Sequence, residues 1–202
     1  MRVYEKPMIK IDANVEDDKV VLTSEGPLST IAKPILKRIN RIFQEEKPIT
    51  FNDEEIIFST WVPPIPSNAF NRMISSQIAA IMKKRVPDQF SIAITDRCPN
   101  NCIHCGAAGF LTEEELTTEQ INSAIDQSLD LGAYLISFDG GETMLRKDLP
   151  EMVGAVDKDR CIATCFTSGF GLTPDKAVQL KYAGMYSMRI SIDSPFEKEH
   201  DR

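Results

Sequence analysis

Three cysteines fall within eight positions of this chain, in the run Cys98-Pro99-Asn100-Asn101-Cys102-Ile103-His104-Cys105. The spacing C-x3-C-x2-C lets one loop wrap a single metal centre. A 4Fe-4S cluster takes four thiolates, so three from one loop leave one iron open to an outside ligand. Zinc accepts mixed Cys/His sets, and a zinc knuckle completed by His104 or a distant thiol is the competing use of the same residues. Cys161 and Cys165 stand four apart on an expected strand, share one face, and read as small buried hydrophobes.

A second group is Asp139-Gly140-Gly141-Glu142, at the end of an apolar run one strand-helix unit after the cysteines. Two glycines let a strand end turn sharply and bring backbone close to a ligand, and a carboxylate beside them suits an ammonium group. Thr167-Ser168-Gly169 and Ser191-Ile192-Asp193-Ser194 end two later apolar runs. His200, in Glu197-Lys198-Glu199-His200-Asp201-Arg202, reads as solvated.

These groups need a scaffold that puts strand ends together. Phe90 to Thr95 reads as a strand. Thr117-x-x-Gln120 is a capping box that opens a helix carrying Ile121, Ala124, Ile125 and Leu129 on one face, closed by Gly132. Tyr134 to Phe138 is the next strand, Asp148-x-Pro150-Glu151 the next helix start, and Cys161 to Phe166 a third strand. Thr173-Pro174 starts a helix ending at Gly184, and Met188 to Ile192 is the fourth strand. The order β-α-β-α-β-α-β implies parallel strands with right-handed crossovers. The expected fold class is therefore α/β, a partial (β/α) TIM-like barrel of about four units, since a complete eight-unit barrel takes ~250 residues. An apolar parallel edge at the extreme C-terminus points to a chain that is part of a longer protein.

Residues 1–88 carry a different pattern and form an expected small α+β accessory segment, with the core at 89–202. Met8 to Val15 and Lys19 to Thr23 have strand character. Pro34 to Phe43 places Ile35, Leu36, Ile39, Ile42 and Phe43 at helical spacing, with Lys37, Arg38 and Arg41 outward. Ile49 to Phe51 and Glu55 to Ser59 read as a hairpin, Trp61 to Pro66 as a stiff connector, and Ser67 as the N-cap of a helix running to Lys84 and stopped by Pro87.

The 202 residues are 42% apolar and 26% charged, which excludes wholesale disorder and rod-like folds. A net charge of -7 argues against a nucleic-acid partner bound through broad phosphate neutralisation. No apolar stretch approaches the ~18 residues of a membrane span, and the N-terminus MRVYEKPMIKID has no signal-peptide hydrophobic region. Five cysteines with three crowded together favour ligation over a disulfide framework, so a cytoplasmic location without a membrane partner is expected.

Together, Cys98 to Cys105, Asp139 to Glu142, Thr167 to Gly169 and Ser191 to Ser194 resemble the radical S-adenosylmethionine superfamily over roughly Phe90 to Arg202. Its cluster motif is C-x3-C-x-Φ-C, and His104 occupies the Φ position. The resemblance implies that Cys98, Cys102 and Cys105 hold a 4Fe-4S cluster whose open iron is chelated by the methionine end of S-adenosylmethionine. Reduction then breaks the sulfonium bond, and the resulting 5'-deoxyadenosyl radical abstracts hydrogen from a substrate that the sequence does not name. It implies further that Gly140, Gly141 and Glu142 contact the methionine amino group. Ser191 and Asp193 would contact ribose or methionine, and His104 would lie over the adenine. A low-potential donor such as a flavodoxin or ferredoxin is implied, and no catalytic side chain is assigned. Ser168 stands where the family commonly has Asn, and Thr143-Met144 where Pro-Leu is frequent. These 202 residues are not expected to supply the family's later adenine-binding strands. GGETMLRKDLP and His200-Asp201-Arg202 look most like the branch with cofactor-maturation and peptide-modifying members. The reading from another class is a noncatalytic metal-binding module, with zinc or a structural iron-sulfur centre in the cysteine loop.

Overall fold

A computed structural model describes residues 1–106 and 114–200. Asp201 and Arg202 of the C-terminal motif lie outside the described residues. The chain forms two compact units, one of residues 1–88 with 129–135 and 159–161, the other of 89–128, 136–158 and 162–202.

In the first unit, β1 (Arg2–Lys6), β2 (Ile9–Glu16) and β3 (Lys19–Glu25) form an antiparallel sheet in that order. Strand β1 was not apparent in the sequence, because Arg2, Glu5 and Lys6 mask the two buried residues Val3 and Tyr4. Asp17 and Asp18 both take positive φ (51° and 59°), the left-handed geometry that matches a two-residue hairpin to the twist of its strands. Helix α1 (Ser29–Glu45) buries Ala32, Ile35, Leu36, Ile39 and Phe43. It begins five residues before the expected Pro34, because Ala32 extends the buried stripe one turn back and keeps that proline inside the helix.

The outer edge of β3 is occupied by side chains of α1. The Asn40 amide accepts from Leu22 N–H and donates to Leu22 C=O, both at 2.8 Å, and Gln44 donates to Val20 C=O at 3.3 Å. The short strands β4 (Thr50–Phe51) and β5 (Ile56–Ile57) pair antiparallel, and Ile65 of the proline-rich connector bonds both ways to Ile56. Ser67 caps α2 (Asn68–Ile81) by accepting the Phe70 amide. The helix stops before Pro87 is reached, with Lys83 already in the left-handed region.

The second unit carries β6 (Gln89–Thr95), α3 (Thr118–Leu131) up to Ser128, β7 (Leu135–Gly140) from Ile136, α4 (Leu149–Ala155), β8 (Ile162–Thr167), α5 (Pro174–Ala183), β9 (Met185–Ile190) and the short α6 (Glu197–His200). The four strands form one parallel sheet in chain order. Among the described residues that sheet is open. Reciprocal bonds between Thr117 and Gln120 form the capping box. Gly184, at φ 94°, ends α5 and delivers the chain straight into β9, which therefore starts at Met185 and ends two residues before the expected Ile192. Cys161 and Cys165 are buried, and burial pushes the Cys165 thiol up to about 12.

Candidate functional site

Parallel strands end on the same side of their sheet, and in open α/β sheets that side is where ligands bind. Here the four carboxyl ends are Thr95, Gly140, Thr167 and Ile190, each lying in or within three residues of one of the four sequence groups.

The segment after β7 lies against the segment after β6. Gly141 N–H donates to Thr95 C=O at 2.6 Å and Glu142 N–H to Arg97 C=O at 2.8 Å. A Cβ on Gly140 would stand 2.3 Å from the Thr95 oxygen, and one on Gly141 2.3 Å from the Arg97 oxygen. Gly140 also has φ +122°. Both glycines are therefore required by the close approach of two backbones immediately before Cys98.

Glu142 is 1% exposed. Its Oε1 accepts from the Met144 amide (2.9 Å) and the Thr167 hydroxyl (2.6 Å). Its Oε2 accepts from the amide and hydroxyl of Ser168, at 2.8 and 2.6 Å. Burial raises its pKa, but these hydrogen bonds outweigh burial and hold the carboxyl below its ordinary value. A carboxylate has about four acceptor positions. All four are taken by the chain itself, so Glu142 joins the ends of β7 and β8.

Ser191 N–H donates to Thr167 C=O at 2.9 Å, which carries the linkage on to the end of β9. His104 Nε2 lies 3.6 Å from Asp193 Oδ1, so the cysteine loop reaches the residues beyond β9. Both side chains are largely exposed, and His200 Nδ1 accepts the Asp193 amide at 3.2 Å. The structure thus joins His104 to Asp193, and Gly141 and Glu142 to the residues preceding Cys98.

Cys98, Cys102 and Cys105 are free and exposed, with Cys105 N–H donating to Cys102 C=O at 3.1 Å. Among the described residues, no three His, Cys, Asp or Glu side chains converge on one point. The donor set fits an iron-sulfur cluster in its chemistry: three unpaired thiols on one exposed loop.

Arg146, Glu115 and Arg97 were not singled out from the sequence, and Asp148 was read only as part of a helix start. Asp148 looked like a helix cap, yet its carboxylate makes no capping bond and instead takes the Arg146 fork at 2.8 and 2.6 Å. In the sequence Arg146 is only an arginine two residues before an acid, and its burial is not readable there. Its other partners, Ile94 and Leu116, are too distant in sequence to be read locally.

No helix among the described residues is long and apolar enough to cross a membrane. The chain is 35% identical over 108 residues to a PqqA peptide cyclase of Streptomyces rochei, covering 52% of this chain and 30% of that protein. It is 32% identical over 130 residues to a PqqA peptide cyclase of Rhizobium meliloti (strain 1021), covering 63% and 35%. It thus spans about a third of the length of these curated relatives. Streptococcus suis SuiB bound to the precursor peptide SuiA shares the fold, with a TM-score of 0.53 and 15% identity over 99% of this chain and 50% of that one. The family model of the Radical SAM superfamily matches residues 92–202, more than half of the chain. Cysteine loop, glycine turn and strand ends all lie inside that match, and the chain belongs to the radical SAM superfamily of enzymes.

Proposed function

We propose that the protein is a radical SAM enzyme acting on a peptide, in which Cys98, Cys102 and Cys105 hold a 4Fe-4S cluster. When bound and reduced, the cluster would supply the electron that cleaves S-adenosylmethionine to a 5'-deoxyadenosyl radical for hydrogen abstraction. Gly140 and Gly141 would shape the methionine end of that site. Glu142, with its carboxylate occupied inside the chain, would hold this turn in place. His104, Ser191 and Asp193 would line the nucleoside side, supported by the 3.6 Å approach of His104 to Asp193. The peptide substrate rests on the printed names of the relatives.

We place the core at 89–202, as a partial TIM-like barrel, and an accessory segment at 1–88. A low-potential flavodoxin or ferredoxin would deliver the electron in the reducing cytoplasm, where free thiols persist.

The observation that carries this reading is the linkage of all four strand ends beside three free thiols. Anaerobic reconstitution with iron and sulfide tests it. The expected result is a brown protein whose reduced EPR signal changes on adding S-adenosylmethionine and whose iron is lost in Cys102→Ala. One tightly bound zinc, with no such spectral change, would favour the noncatalytic module instead.

A further inference from the structure

The stretch that carries the three cysteines leaves β6 at Thr95 and returns to α3 at Thr118. Its two ends meet at a buried arginine. Arg146, whose side chain is 7% exposed, donates from one nitrogen to Ile94 C=O at 2.8 Å and to Leu116 C=O at 3.0 Å. The first carbonyl lies before the cysteines and the second after them. The rest of the guanidinium forks onto Asp148, which also accepts the Thr118 hydroxyl at 2.5 Å. A further bridge lies on the same side. Arg97, next to Cys98, forks onto Glu115 at 2.9 and 3.1 Å, and Thr95 also donates to that carboxylate. Glu115 in turn lies 3.7 Å from Arg146.

We infer that Arg146 is a positioning residue for the metal-binding loop, clasping both of its ends against the segment that follows Gly140-Gly141-Glu142. This rests on the reading of Cys98, Cys102 and Cys105 as cluster ligands. Loop closure costs entropy, and three thiolates converge on one centre more readily when the ends of their loop are already fixed. Four N–H groups of the planar guanidinium serve two carbonyls and both carboxylate oxygens at once, one more than an ammonium has. A lysine keeps the charge but loses that geometry.

A merely structural arginine would affect folding stability and leave iron retention in the folded protein alone. The two roles separate in the rate at which anaerobically reconstituted protein loses iron to a ferrous chelator. The comparison includes wild type, Arg146→Gln, Arg146→Lys and Leu180→Ala. Leu180→Ala is a core control, since Leu180 is fully buried in α5 and belongs to no part of the clasp. Removing groups that orient metal ligands typically weakens retention by 10-fold or more, so Arg146→Gln is expected to release iron about tenfold faster than Leu180→Ala, with Arg146→Lys between.

Glu115→Gln breaks the bridge between Arg97 and Arg146 at a partly exposed position and is expected to speed release several-fold. It keeps the comparison decisive should Arg146→Gln fail to fold. Release from folded Arg146→Gln no faster than from Leu180→Ala overturns the clasp while leaving the cluster assignment standing. So does wild-type release from Glu115→Gln if Arg146→Gln does not fold. A wild-type chain that takes up no iron overturns both.

Discussion

Glu142 and Ser168 are joined twice, with the Ser168 amide and hydroxyl both donating to the same carboxylate oxygen. The turn after β7 is thereby locked to the turn after β8. Removing the hydroxyl in Ser168→Ala deletes one charge-assisted bond to a buried acceptor and is expected to cost about 1.5–3 kcal/mol. The shift in urea midpoint measures it. An unchanged midpoint would show that the serine contributes nothing to the lock.

Acid should loosen the second unit in a defined direction. Glu142 has a lowered folded pKa, its hydrogen bonds overcoming the effect of burial. Asp148 is held well below the carboxylate range, chiefly by its bond from Arg146, and Glu115 is lowered chiefly by Arg97. A group with a lowered folded pKa stabilises fully above its unfolded value, and that stabilisation is lost as pH falls through the folded value. The urea midpoint should therefore fall from about pH 5 downward, and Glu142→Gln should flatten the curve while lowering it at neutral pH. A midpoint independent of pH across that window would contradict the assignment.

Glycine substitutions should differ sharply by position. Gly140→Ala and Gly141→Ala each drive a methyl onto a backbone oxygen 2.3 Å away, and the first is also strained by its φ of +122°. Each should lose more than about 1 kcal/mol. Gly154→Ala, with nothing within 4 Å inside α4, should be neutral or gain up to about 1 kcal/mol. Thermal melts of the three variants side by side test the ranking.

Thiol reactivity should sort the five cysteines into two classes. Cys98, Cys102 and Cys105 are exposed, whereas Cys161 and Cys165 are buried. Alkylation of the metal-free native chain, followed by mass spectrometry, should label the first three quickly. The other two should react only on unfolding. Rapid labelling of Cys165 would be incompatible with its burial.

What was legible in the sequence was local. The Thr117–Gln120 capping box, Ser67 and Thr173 as caps, and Gly184 as a helix stop each depend on residues within one turn, and each stands as expected. The boundaries of α1 and β9 moved because they are decided by packing and by a turn geometry that brings the strand in early. The role of Glu142 was only partly visible. Its type and its glycine neighbours mark a turn, but Thr167 and Ser168, the partners that fill its carboxylate, lie 25 and 26 residues away. Arg146 was silent for the same reason, its carbonyl partners lying 52 and 30 residues distant.

At the rim of the N-terminal sheet, the Asn40 amide does for Leu22 what a neighbouring peptide group would do, giving one donor and taking one acceptor. A single side chain thus impersonates a fourth strand. Growth of the sheet past β3 is barred at that rung, which denies a foothold to self-templated fibre formation.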